Sequence, residues 1–108
     1  MNLPTEIFGD VVVVHTPEEL GSDQADGFEA YLPMLERNKV VLDLDNTEML
    51  DSAGLTALLN AQDKFREEGG EIKIATTNFT NCKILEVTRL DQQLEVFSSV
   101  IDAVKSFQ

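Results

Sequence analysis

Short apolar runs alternate with stretches of helical spacing along most of the chain. "TEIFGDVVVVHT" (Thr5–Thr16) reads as a short strand, a Gly9-Asp10 turn and a second, β-branched strand, since Gly beside Asp between two extended runs is a turn signal. Pro17 to Gly21 reads as a loop. From Ser22 the period changes: Phe28, Tyr31, Leu32 and Leu35 fall at i, i+3, i+4 and i+7, one stripe of a helix. Pro33 should kink that helix, because it removes a backbone donor and crowds the carbonyl of Glu29.

"KVVLDLD" (Lys39–Asp45) is an apolar strand with little alternation, as expected when both faces are covered by protein. After Ser52 the helical period returns in Leu55, Leu58, Leu59 and Phe65, with Thr56, Asn60, Asp63 and Glu67 on the other face. Gly69-Gly70 ends this helix, where a left-handed residue forms easily. "EIKIAT" is the next strand, "TNCKILEVTRL" a short helix and "LEVF" a last short strand. Ser99 with Asp102 fits a capping box for a final helix carrying Val100, Ile101, Val104 and Phe107. The predicted order, β-β-α-β-α-β-α-β-α, implies an α/β fold with helices packed on a central, mostly parallel sheet and right-handed crossovers. Functional groups in such sheets collect beyond the carboxyl ends of strands, and Ser52 lies at that edge.

Composition narrows the function classes. A length of 108 residues predicts one domain over residues 1–108, and 43% hydrophobic residues suffice for one core. Twenty acids against eight bases give a formal charge of -12, which disfavours binding to nucleic acid or anionic lipid. The acids are spread along the chain, so they serve solubility or face a basic partner. "MNLPTEIFGD" lacks the basic start and apolar core of a signal peptide, and Val11–Val14 is too short to insert into a membrane. A single cysteine, Cys82, excludes an internal disulfide and reads as a small packing residue in a reducing compartment. The expectation is a soluble cytoplasmic protein.

"MLDSAGLTALL" (Met49–Leu59) places an acid, a hydroxyl and a glycine where an apolar run becomes a helix. Three chemistries compete for it. Just upstream, "VVLDLDNT" matches the D-x-D-x-T pattern of haloacid-dehalogenase-like phosphatases, which resemblance makes Asp43 a nucleophile and Asp45 an acid-base. Lys73 is the available downstream lysine, but the further acidic cluster of that family is missing. Ser52 as a hydrolytic nucleophile needs a base and an orienting acid. The only histidine, His15, is predicted to end a strand, and "DSAGL" lacks the first glycine of G-x-S-x-G. Capping is the third chemistry: Asp51 or Ser52 can accept a bond from the first free N–H groups of the helix.

The ordered set of apolar strand, short acidic loop, D-S-x-G-L, amphipathic helix, Gly-Gly and further strand in "VVLDLDNTEMLDSAGLTALLNAQDKFREEGGEIKIA" resembles the centre of a STAS domain. It is most similar to bacterial anti-sigma factor antagonists, and "KILEVTRLDQQLEVFSSVIDAV" extends the resemblance to roughly Val11–Val104. The resemblance implies a STAS-like fold in which the switch motif is Asp51, Ser52, Ala53, Gly54 and Leu55. It implies phosphorylation of Ser52 by a partner that is both anti-sigma factor and serine kinase, loss of binding on phosphorylation, and restoration by a metal-dependent serine phosphatase. ATP and metal then belong to the partners, and this chain is a binding module, monomeric when free, with no cofactor and no catalytic residue. The implied partner-binding residues are Ser52, Thr56, Asn60, Glu19 and Gly21. Ala53 stands where the family often has a second hydroxyl, and Gly21 replaces the aspartate of its "G-E-L-D" segment. "DSAGL" followed by "ALL" is also similar to STAS subunits of lipid-transport ATPases, which need no phosphorylation.

Overall fold

The apolar runs pair as strands in the computed structural model, which describes residues 1–108. The strands are β1 (Thr5–Phe8), β2 (Val11–His15), β3 (Glu19–Leu20), β4 (Lys39–Asp43), β5 (Met49–Leu50), β6 (Glu71–Ala75) and β7 (Val96–Phe97). The helices are α1 (Ser22–Tyr31), α2 (Ser52–Glu67), α3 (Phe79–Val87) and α4 (Val100–Lys105). Five strands form one sheet in the order β1-β2-β4-β6-β7, antiparallel only between β1 and β2. Gly9, at φ 64°, makes the turn between those two. The expected alternation of strands and helices is therefore present, with β3 and β5 added to it.

Alternate residues of the central strands point to opposite faces, and each face has its own cover. Val12, Val14, Val40, Leu42, Ile72 and Ile74 join Phe28 of α1, Leu58 and Phe65 of α2 and Leu85 of α3 in the larger core. Val11, Val13, Val41 and Ala75 pack on Ala103 and Val104 of α4. Both faces being covered explains the unbroken valine run. Lys73 also lies on the α4 side and is buried. Its Nζ donates to Ser106 Oγ at 2.8 Å and sits 4.3 Å from the Phe107 ring centroid, so the lysine ties the last residues of the chain to β6.

Three local expectations change. The Pro17–Gly21 segment is not wholly loop: Glu19 and Leu20 form β3, parallel to β5. Pro33 ends the α-helix instead of kinking it. The backbone tightens into a 3-10 turn over Leu32–Leu35, which proline tolerates near its start. On α2 the buried stripe is rotated by one position, to Gly54, Ala57, Leu58, Ala61, Gln62 and Phe65, and leaves Leu55 and Leu59 half-buried. No helix is long and apolar enough to cross a membrane.

Gln62 is buried among apolar side chains because of the sheet's uneven edge. β7 begins pairing only at Ile74, so the outward N–H and carbonyl of Ile72 have no strand beside them. The Gln62 amide takes that place: Oε1 accepts from Ile72 N–H at 2.8 Å and Nε2 donates to the Ile72 carbonyl at 3.1 Å. Gln62→Leu leaves both groups buried and unpaired, and a loss of about 1–3 kcal/mol is expected. Urea unfolding should show it as a lower midpoint with an unchanged slope.

Candidate functional site

The carboxyl ends of the parallel strands feed one continuous edge, and the start of α2 is its centre. The Glu18 carbonyl receives N–H groups from Glu48 and Met49, which draws the segment after β4 against the segment after β2. This parallel ribbon brings the Leu20 carbonyl against Gly54, close enough that any Cβ at residue 54 collides with it. Only glycine permits that approach.

Asp51 is the N-cap of α2, with extended backbone and its Oδ1 accepting from Gly54 N–H at 3.0 Å. The choice between two possible caps is thereby decided for the aspartate. Ser52 is the first helical residue and is exposed. Its carbonyl accepts from Thr56 Oγ1 at 2.9 Å, while its hydroxyl faces solvent. Thr56 and Asn60 are exposed on the same side of α2, one and two turns along. Glu19 is exposed on β3. Gly21, by contrast, is buried at the N-cap of α1, where a Cβ would lie 2.7 Å from Met49 Cε and 2.8 Å from Asp51 Oδ2. A larger residue there displaces the side chain that caps α2.

Sequence reasoning missed the residues that hold the loop before this helix. Asn81 of α3 is buried, and its Nδ2 donates to the carbonyls of Leu44 (3.2 Å) and Thr47 (2.9 Å). Thr47 Oγ1 donates to the Pro17 carbonyl at 2.7 Å and meets Thr16 Oγ1, which in turn donates to the Asp43 carbonyl. The ends of β2 and β4 and the start of α3 are thus joined by bonds between uncharged groups. Thr16 just after β2 and Thr47 in the loop after β4 are plain in the sequence; their partners are not.

The enzyme-like constellation comes apart in space. Asp43 Oδ2 lies 3.0 Å from His15 Nδ1, and Glu6 Oε1 lies 2.7 Å from His15 Nε2. The histidine is a strand-end residue engaged at both nitrogens. Asp43 Oδ1 accepts from Asp45 N–H, and Asp45 Oδ1 accepts from Thr77 N–H at 2.6 Å. Both carboxylates work as loop ties, and Lys73 is turned under Phe107. One concavity of about 570 Å³, lined by Asp10, Arg37, Lys64 and Glu68 among others, opens at the other end of α2. A helix of sixteen residues separates it from Ser52 by about 24 Å. There the hydrogen bond from Lys39 holds the Asp10 carboxyl below its ordinary range.

A model of the STAS domain family matches residues 2–103. A candidate anti-sigma factor antagonist of Thermotoga neapolitana is 26% identical over 97% of this chain and 96% of its own length. The crystal structure of a candidate anti-sigma factor antagonist from Thermotoga maritima superposes with a TM-score of 0.86 at 24% identity, covering 96% of this chain and 92% of that one. The Bacillus cell fate determinant SpoIIAA, in its phosphorylated form, gives 0.71 at 13% identity over 99% of this chain and all of its own. These solved structures share the fold of this chain.

The capping geometry separates the two polar residues. Asp51→Ala is expected to cost about 1 kcal/mol, whereas Ser52→Ala, which removes no bond, should stay within about 0.5 kcal/mol of wild type. Urea unfolding of both variants measures this; equal losses contradict the assignment of the cap.

Proposed function

The chain belongs to the STAS domain family, and we propose that it is an anti-sigma factor antagonist switched by phosphorylation of Ser52. In the unphosphorylated form it binds and sequesters an anti-sigma factor that is also a serine kinase; the phosphate ends that binding, and a serine phosphatase restores it. It acts in the cytoplasm as substrate and binding module, so nucleotide and metal are the partners' reagents. The names of its Thermotoga relatives support the antagonist assignment. The observation that carries the switch is an exposed Ser52 hydroxyl at the first position of α2, beside a different residue that caps the helix.

That separation lets charge change without unfolding. The first N–H groups of a helix have no intrahelical acceptor and carry partial positive charge, so an anion at Ser52 is tolerated. The gain is about 0.3–1 kcal/mol when exposed. Ala53 and Gly54 add little side-chain bulk around the hydroxyl, which leaves close approach to it open. Phosphate adds about -1.5 to -2 charges to a chain already at -12. Burying that dianion against a partner without a compensating base requires its desolvation. A penalty of about 4 kcal/mol weakens binding roughly a thousandfold, many times the effect on the fold.

Incubation with the cognate anti-sigma serine kinase and ATP is expected to add one phosphate, mapped to Ser52 by tandem mass spectrometry and absent from Ser52→Ala. Ser52→Asp should fold normally and lose the kinase, while Ser52→Ala keeps it. Phosphate on another residue sinks the switch, and equal binding of both variants favours a permanently bound STAS subunit.

A further inference from the structure

Phe79 is the most exposed large apolar residue of the chain, with 80% of its surface accessible. An aromatic side chain left in water at a helix start is unusual, because its burial elsewhere contributes strongly to folding. Its position is fixed rather than loose. The preceding Asn78 caps α3 through Oδ1 and Asn81 N–H, Thr77 is held by Asp45, and Asn81 is bonded into the loop that leads to Asp51 and Ser52. Phe79 therefore stands on the same carboxyl edge as the start of α2. The segment that runs from Asp45, which holds Thr77, to Ser52 includes Met49, itself 37% exposed, and the exposed acid Glu48.

We infer that Phe79 is an apolar anchor of the surface that receives the anti-sigma kinase, inserting into an apolar pocket whose lysine or arginine rim faces the exposed acids Asp45 and Glu48 and leaves the contact at Ser52 without a base. The inference rests on the Ser52 reading and extends its contact face across the edge to α3. Charge complementarity chooses the occupant: a chain at -12, with the Asp45 carboxylate bonded to Thr77 two residues before the aromatic, repels a second copy of itself and attracts a basic surface. Desolvated aromatics at the centre of polar rims contribute disproportionately to affinity. An anchor of this kind also gives the partner a hold independent of Ser52, so binding is tight while the serine is free and the phosphate has a formed contact to disrupt.

The test uses the purified full chain and each purified anti-sigma serine kinase encoded in the same genome, with affinity read by calorimetry and rates by surface plasmon resonance. Phe79→Ala is expected to bind about tenfold more weakly or worse, through faster dissociation, with unchanged thermal unfolding. Val87→Ala, on the same helix and 67% exposed, should change affinity less than about twofold. Glu48→Gln should slow association and flatten its salt dependence. Wild-type affinity in Phe79→Ala, or an equal drop in Val87→Ala, overturns the anchor. So does self-association of the wild type that Phe79→Ala abolishes, because a second copy is then the occupant. If the wild type binds none of these kinases, the Ser52 switch has failed and the anchor falls with it; if Ser52→Asp loses the kinase and Phe79→Ala does not, the anchor alone falls.

Discussion

The carbonyl oxygen of Leu20 occupies the space where a side chain at residue 54 would begin. The ribbon of β3 and β5 and the first turn of α2 can meet only because that residue is glycine. Their contact fixes the helix start against the ends of β2 and β4, so Asp51 can cap it and Ser52 is left outward. Buried bonds from Thr16, Thr47 and Asn81 then lock the intervening loop. A loop held this way keeps Ser52 at the first position of α2 in one geometry.

The fold and the proposed switch draw on separate interactions. Stability comes from two apolar layers and from polar side chains that replace missing strand or helix partners, such as Gln62 beside Ile72. None of these involves the Ser52 hydroxyl. A charge placed there therefore acts on the surface, where the chain is already strongly negative, and barely on the core. In the proposed switch, affinity changes by orders of magnitude while the structure stays the same.

The main alternation of strands and helices was legible in the sequence because it follows from period and burial, which the valine run and the leucine spacing state directly. The ribbon was not: two residues per strand carry no period, and Pro17 argued for a loop. The sense of Gly54 as a close-approach residue was hidden because its neighbour, Leu20, is far away along the chain. Gln62, Asn81 and Thr47 look like surface residues in a one-dimensional reading, yet each is buried to satisfy a backbone group that only the fold exposes as unpaired. Gly21 was legible as a departure from a pattern, and the structure supplies a physical correlate, since the space beside it is filled by Met49 and the capping carboxylate of Asp51.

The central claim is that phosphate at Ser52 is a local charge on an unchanged fold. Amide chemical shifts of the isotopically labelled chain, recorded before and after enzymatic phosphorylation, test it most directly. Changes are expected only at Asp51 through Thr56 and at the adjoining residues of β3 and β5, with the amides of β2, β4 and β6 in place. Shifts spread through those central strands, or loss of dispersed signals, would contradict it.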